Sequence, residues 1–196
     1  MKSIDYYNKN SKRFISETFD VSMEPLLLEF AAYLKEGAAI LDIGCGSGRD
    51  SKWFMEQGYD VWAHDGSAEM ISYCRSFLGE RVEQATFEDY STERRFDGLW
   101  ACASLLHVKR ELLPEIIKKY SEVLKQGGIF FMSFKNRESD HEKDGRIFTN
   151  FNEKTITELL ENIEELELVK VIYTVDIRED RQEEGWISVI AKKSCV

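Results

Sequence analysis

Hydrophobic positions along the chain follow two periods, one typical of buried strands and the other typical of amphipathic helices. The short apolar runs that predict strands cover residues 39–43, 59–64, 81–85, 96–101 and 129–134. The helical spacings that predict helices cover residues 21–36, 112–124 and 155–160. Strands that alternate with helices require crossover connections, which predicts a parallel sheet covered by helices on both faces.

The last third of the chain departs from this alternation. Residues 135–150 are charged and rich in loop formers, and a connection of that length is often functional. Residues 166–175 and 186–191 predict two final strands, joined by an acidic loop over 176–185 into an antiparallel hairpin at the sheet edge. We therefore predict a doubly wound α/β fold with a seven-stranded, mostly parallel sheet and a C-terminal antiparallel hairpin.

Domain organisation follows from the same pattern. The chain has 196 residues, a length that suits one domain, and no internal repeat divides it. We expect a single domain over 1–196, with an N-terminal helical cap over 1–37 and the α/β core over 38–196.

Charge and cysteine content narrow the setting of the protein. The formal net charge of −10 disfavours a nucleic-acid partner, since such binders usually gather basic residues on one face. Four cysteines without Cys-x-x-Cys spacing predict a reducing compartment and argue against a zinc site. The N-terminal stretch lacks an apolar core, and no run approaches the roughly 20 apolar residues of a membrane span. We expect a cytoplasmic protein without membrane contact.

The stretch AILDIGCGSGRD at residues 39–50 carries the candidate chemistry. An apolar strand leads into alternating Gly44, Gly46 and Gly48, and a helix pattern follows, so backbone amides can face a ligand at a helix N-terminus. Asp65 closes the next strand about 20 residues later, where nucleotide-binding folds hold ribose hydroxyls. A glycine-rich turn alone serves several cofactors, nicotinamide and flavin nucleotides included.

The spacing Asp42-x-Gly44-x-Gly46-x-Gly48, combined with Asp65, resembles the S-adenosylmethionine-binding motifs of class I methyltransferases. Within that family the chain looks most like the small stand-alone enzymes related to tellurite, thiopurine-type and ubiquinone-pathway methyltransferases. The resemblance implies a Rossmann-like fold, S-adenosylmethionine as the methyl donor, S-adenosylhomocysteine as the product and a small-molecule acceptor.

The resemblance also implies a set of cofactor-binding residues. These are Asp42, Gly44, Cys45, Gly46, Gly48, Asp65, Gly66, Met70, Phe87, Glu88 and Ala101. The glycine turn would approach the methionine and ribose, with Asp42 near the amino group and Asp65 on both ribose hydroxyls. The adenine would lie between Gly66 and Met70 on one side and Phe87 and Glu88 on the other. Ala101 would pass its backbone near the sulfonium.

The acceptor side offers one candidate base, His107, just after strand four. A soft anion such as a thiolate needs no base, whereas a hydroxyl or amine does. The alternative role for His107 is packing or capping of the following helix. Because methyl transfer is an in-line displacement, the protein mainly has to align the reactants and exclude water.

Two segments are predicted to enclose the acceptor. On the family resemblance, Tyr6, Tyr7 and Phe14 would form a lid over cofactor and substrate, although simple packing of the N-terminal segment is equally open for Phe14. Lys135 and Arg146, with Ser133 and Phe134, would form the other wall. These two cations suggest an acidic group on the acceptor, or else are solvated charges.

Missing motifs limit the alternatives. Residues 101–104 do not resemble the Asn/Asp-Pro-Pro-aromatic motif of amino-methylating nucleic-acid enzymes, and the chain has no Pro-Cys nucleophile. Carboxylates do not cluster near strand four, which predicts that no metal is used. An RNA or protein methyltransferase, a non-catalytic cofactor-binding sensor or partner subunit, and a nicotinamide dehydrogenase stay open. We expect a monomer or a homodimer.

Overall fold

The computed structural model describes residues 2–176 and 185–194, so most of the predicted acidic loop at 176–185 lies outside the described residues. The helices are α1 (Lys2–Thr18), α2 (Glu24–Ala31), α3 (Arg49–Glu56), α4 (Ala68–Leu78), α5 (Leu113–Val123) and α6 (Glu153–Glu161). The strands are β1 (Ala39–Ile43), β2 (Asp60–Asp65), β3 (Val82–Gln84), β4 (Phe96–Ala101), β5 (Leu124–Lys135), β6 (His141–Lys143), β7 (Arg146–Phe148), β8 (Leu166–Val175) and β9 (Gly185–Lys193).

Seven strands form one sheet in the order β3-β2-β1-β4-β5-β9-β8. Strands β1 to β5 pair in parallel, whereas β9 runs antiparallel to both β5 and β8. The predicted seven-stranded, mostly parallel sheet with an antiparallel pair at its C-terminal end is confirmed. The chain reverses its winding direction between β1 and β4, and ligands of open α/β sheets bind at such a switch point.

Helices cover both faces of the sheet, and each face has its own apolar cluster. One face buries α2, α3 and α4 around Phe30, Phe54 and Trp100, whose side chains are fully buried. The other face buries α5 and α6 around Leu113, Tyr120 and Ile156. Strands buried on both faces explain why the sequence shows continuous apolar runs rather than alternation.

Two predicted segments differ in the structure. The helix predicted over 21–36 is shorter, because Pro25 occupies its first turn and the bonding after Ala31 changes to i→i+3, with Leu34 N donating to Ala31 O at 2.9 Å. Residues 135–150, predicted as a loop, contain the β6–β7 hairpin, which turns through Asp144 and Gly145 at φ of 53° and 74°. Residues 85–95, between β3 and β4, form turns and no helix, as expected for a connection too short for a full crossover helix.

Helix α1 packs against α4 and β7, beside the carboxyl ends of the parallel strands. The N-terminal residues are thus brought to the same edge of the sheet as the glycine turn. Among the described residues, no helix combines the length and apolarity that crossing a membrane requires.

Candidate active site

Three alternating glycines carry the chain from β1 into α3. The φ angles of Gly44, Gly46 and Gly48 are 70°, 54° and 72°, a region that residues with side chains rarely adopt. The N–H of Gly44 donates to the carbonyl of His64 at 2.9 Å, which ties the turn to the end of β2. A Cβ at Gly44 would lie 2.7 Å from the Cβ of Ser104. Both backbone and packing therefore require glycine where β1, β2 and β4 end.

Asp65 joins the turns that follow β1 and β2. Its Oδ2 accepts the N–H of Gly46 at 2.9 Å, and its Oδ1 accepts the N–H of Ser67 at 2.8 Å. Burial raises the pKa of the Asp65 carboxyl, and the two backbone donors oppose that rise. Each carboxylate oxygen has a second lone pair, so the fixed Asp65 side chain can accept further hydrogen bonds from hydroxyl groups.

Asp42 lies beneath the turn, where α3 covers it. Asp42 is 3% exposed, and its carboxyl accepts a hydrogen bond from the hydroxyl of Ser51 at 2.6 Å. Burial, followed by the charge of Asp50, raises the pKa of Asp42 to about 8. Asp50 pairs with Arg49 at 2.7 Å and accepts the indole N–H of Trp100 at 2.9 Å. Asp50 and Ser51, which the sequence reasoning missed, hold α3 to the sheet.

The Cys45 side chain points towards α4. A hydrogen bond with Cys74, together with burial, raises the pKa of the Cys45 thiol well above its usual range. The Cys74 thiol in turn contacts the carbonyl of Gly46 at 3.3 Å. These contacts make both thiols part of the packing beneath the turn.

Of the four residues predicted around an adenine ring, two border the glycine turn and two do not. A Cβ at Gly66 would meet Ile4 at 2.6 Å, and the Phe87 ring lies 3.1 Å from the position of a Cβ at Gly44, so both border the turn region. Met70 is fully buried, and Glu88 is exposed. Ala101 is also fully buried, at the end of β4.

Helix α1 lies across these turns. The Phe14 ring comes within 3.3 Å of where a Cβ at Gly46 would stand. The Asn8 side-chain oxygen accepts the Ser67 hydroxyl at 2.7 Å, next to Asp65. The aromatic N-terminal segment is thereby brought together with the glycine turn.

Tyr7 and His107 meet between α1 and the segment after β4. His107 Nδ1 lies 2.7 Å from the carbonyl of Ile147 and Nε2 lies 2.8 Å from the Tyr7 hydroxyl. Since a carbonyl only accepts, Nδ1 carries the proton, and Nε2 accepts from Tyr7. Burial lowers the pKa of His107 to about 4, so the imidazole is neutral near pH 7. Burial also raises the pKa of Tyr7, which keeps its hydroxyl protonated.

The predicted cationic wall stands beside this pair. The guanidinium carbon of Arg146 lies 3.8 Å from the centre of the Tyr6 ring. The Lys135 ammonium lies 5.5 Å from the centre of the Phe148 ring, and Lys135 is 7% exposed. Both cations act on His107 and contribute to its lowered pKa. The other two predicted wall residues, Ser133 and Phe134, lie on β5. The Ser133 hydroxyl accepts the N–H of Ala103 at 2.7 Å, and Phe134 is buried in the core.

Several site residues had no prediction from the sequence. They are Asn8, Ser67, Cys74, Ser104, Ile147 and Phe148. Ser67 carries a readable signal, because serine before a helix is a preferred N-cap and its hydroxyl accepts the N–H of Met70 at 3.3 Å. Asp144-Gly145 is likewise a strong hairpin signal that would have placed β7. Within the described residues, no three His, Cys, Asp or Glu side chains gather closely enough to hold a metal ion.

Comparison with known sequences assigns the central part of the chain. A family model described as a methyltransferase domain matches residues 40–128. The ubiquinone biosynthesis O-methyltransferase of Xanthomonas campestris pv. campestris is 31% identical over 125 residues, covering 59% of this chain and 52% of that protein. The chain thus spans about half the length of the curated relatives it first matches.

Solved structures share the fold over nearly the whole chain. Burkholderia thailandensis 1,6-didemethyltoxoflavin-N1-methyltransferase, with bound 1,6-didemethyltoxoflavin and S-adenosylhomocysteine, has a TM-score of 0.79 at 23% identity, covering 98% of this chain and 87% of that chain. Synechocystis magnesium protoporphyrin IX methyltransferase with bound S-adenosylmethionine has a TM-score of 0.74 at 16% identity, covering 98% and 97%. Residues 40–128 thus match a methyltransferase domain, and the strand order, the glycine turn and Asp65 support a class I S-adenosylmethionine-dependent methyltransferase.

Proposed function

We propose that this protein transfers a methyl group from S-adenosylmethionine to a small-molecule acceptor. The glycine turn with the Asp65 carboxyl held against it carries this proposal. The relatives named above support it, since the two solved enzymes and the ubiquinone-pathway enzyme are all named for small molecules.

The side chains around the turn fit the cofactor. The left-handed glycines keep side chains away from the backbone, and Asp65 keeps lone pairs for ribose hydroxyls after accepting two backbone N–H groups. Gly66 and Phe87 would border the adenine, with Met70 packed beneath it. A bound ammonium group would lower the raised pKa of Asp42, because a nearby positive charge favours the carboxylate. When bound, S-adenosylmethionine would supply a methyl carbon activated by its positive sulfur.

Tyr7 and His107 form the proposed proton path for a hydroxyl or amine acceptor. The acceptor proton would pass to the Tyr7 oxygen while the Tyr7 proton moves to His107 Nε2, 2.8 Å away. Proton transfer over one hydrogen bond suits a base whose lone pair is already aimed. The Ile147 carbonyl, which accepts from Nδ1, would stabilise the imidazolium that results.

Helix α1 is proposed to act as a lid. Its residues Tyr6, Tyr7 and Phe14 cover the turn and the base, and Asn8 fastens the helix to Ser67. Enclosure of this kind excludes water from the transferring group. The opposite wall is proposed to be the β6–β7 hairpin with Lys135 and Arg146.

Transfer of a radiolabelled methyl group tests the function. The protein is incubated with methyl-labelled S-adenosylmethionine and a panel of phenols, N-heterocycles and thiols, with bulk RNA and protein as competing acceptors. Label in the small-molecule fraction is the expected result. Label confined to RNA or protein, or no transfer from a cofactor that binds, would contradict the proposal.

A further inference from the structure

Strand β7 presents a cation and a base-orienting carbonyl on consecutive residues. Arg146 stacks on Tyr6, with its guanidinium carbon also 5.2 Å from the centre of the Phe148 ring. Ile147, the next residue, accepts His107 Nδ1–H through its carbonyl at 2.7 Å. The position of the cation and the orientation of the base are therefore set by one short strand.

Arg146 has a buried N–H group that can still donate a hydrogen bond. Its side chain is 12% exposed, and its ion pair is with Asp144 at 3.4 Å, a residue whose own side chain is 56% exposed. The guanidinium also lies beside Tyr7, with its carbon 5.8 Å from the centre of the Tyr7 ring, and its positive charge opposes the rise in the Tyr7 pKa. The Nε–H is buried and has no hydrogen-bond partner among the described residues. A buried donor without an acceptor costs folding free energy, so this N–H group is suited to bind an acceptor atom of a ligand.

The surroundings favour an anion in a flat molecule. Lys135, 7% exposed, adds a second cation next to His107. The rings of Tyr6, Tyr7 and Phe148 lie within 3.8 to 5.8 Å of the Arg146 guanidinium carbon and offer apolar faces for an aromatic ring. Arginine is also the side chain best suited to bind a carboxylate through two parallel hydrogen bonds.

We propose that the methyl acceptor is a small aromatic acid whose carboxylate pairs with Arg146 and whose nucleophilic hydroxyl or amine stands next to that carboxylate. The adjacency follows from Tyr7, because its hydroxyl lies 2.8 Å from His107 Nε2 and the Arg146 guanidinium carbon lies 5.8 Å from the centre of its ring. An acceptor group that reaches Tyr7 is then within reach of Arg146 as well. This inference rests on the proposed function, since it names the substrate class of the same site.

Binding of matched acid and amide probes tests the inference without requiring turnover. 2-Hydroxybenzoate and 2-hydroxybenzamide, with the 3- and 4-hydroxy isomers of each, are titrated calorimetrically into the protein saturated with S-adenosylhomocysteine. The wild type should bind the 2-hydroxy acid about tenfold or more tighter than its amide, and more tightly than the other acids. Arg146→Gln should reduce the acid-to-amide ratio to within about twofold. Lys143→Gln, which removes an exposed charge from β6 of the same hairpin, should leave the ratio unchanged.

Each other outcome has a distinct meaning. Equal binding of acids and amides, binding of no acid, or a ratio that survives Arg146→Gln overturns the inference. Weaker S-adenosylhomocysteine binding by Arg146→Gln, by about tenfold or more, assigns Arg146 to the cofactor and also overturns it. Failure of the wild type to bind S-adenosylhomocysteine overturns the proposed function and the inference with it.

Discussion

Acidification is predicted to weaken the fold through His107. Burial lowers its pKa to about 4 in the folded chain, against an ordinary value of 6.5. The folded state therefore binds fewer protons, so this contribution to stability is complete above about pH 6.5 and is lost as the pH falls towards about 4. Proton linkage with these two pKa values gives a loss of about 2 kcal/mol between about pH 7 and pH 5.

Urea unfolding of the wild type and of His107→Gln at both pH values measures this contribution. Burial also lowers the pKa of His64 to about 4 and raises that of Asp42 to about 8, and these two act in opposite directions on acidification. His64 and Asp42 are present in the wild type and in His107→Gln alike, so the difference in unfolding free energy between these two proteins isolates the contribution of His107. The destabilisation caused by His107→Gln should shrink by about 2 kcal/mol at the lower pH. A difference that stays constant within about 0.5 kcal/mol would refute a buried neutral His107.

Two further changes test the turn and the proton path. Gly44→Ala places a Cβ 2.7 Å from Ser104 at a φ of 70° and should destabilise by about 2 kcal/mol or more in urea unfolding, whereas Gly58→Ala, also at positive φ but with nothing within 4 Å of the added Cβ, should cost about 1 kcal/mol. Equal costs would contradict the steric argument. Tyr7→Phe should lower kcat for a hydroxyl or amine acceptor by about 10- to 100-fold with little change in S-adenosylhomocysteine affinity, while Tyr6→Phe should leave kcat nearly unchanged. Similar kcat values for the two variants would remove Tyr7 from the proton path.

Local sequence signals sufficed to predict the sheet and the position of the glycine turn. The apolar runs mark strands because parallel strands are buried on both faces, and the glycines mark the turn because its backbone is left-handed. These features depend on neighbours in sequence. They are readable without knowing what packs against them.

The acceptor side depends on contacts between residues far apart in sequence. The Ile147 carbonyl, 40 residues away in sequence, fixes the tautomer of His107. The Tyr7 hydroxyl, 100 residues away, donates a hydrogen bond to its Nε2. Periodicity cannot reveal such pairs, so the sequence could name His107 as a candidate without fixing its proton. Arg146 likewise reads as a charge in a loop, because its position beside Tyr6 depends on the pairing of β6 with β7.

The side-chain directions of two predicted cofactor-binding residues could not be predicted from the sequence pattern either. Asp42 and Cys45 stand beside the glycines in sequence, yet their side chains point beneath the turn, to Ser51 and Cys74. Adjacency along the chain does not determine the direction of a side chain around a tight turn. The roles of these two residues towards the cofactor stay predictions.

Calorimetric titration of S-adenosylhomocysteine tests the central claim most directly. The wild type should bind, and Asp65→Asn should bind about 10- to 100-fold more weakly, since it loses the charge that would receive two ribose hydroxyls. Asp97→Asn is the matched control, because Asp97 also accepts a backbone N–H, from Ala39 at 2.9 Å, but at the opposite end of β1. It should bind like the wild type. Absence of binding by the wild type at high micromolar concentration, or equal affinity of all three proteins, would contradict the assignment of this turn as the cofactor site.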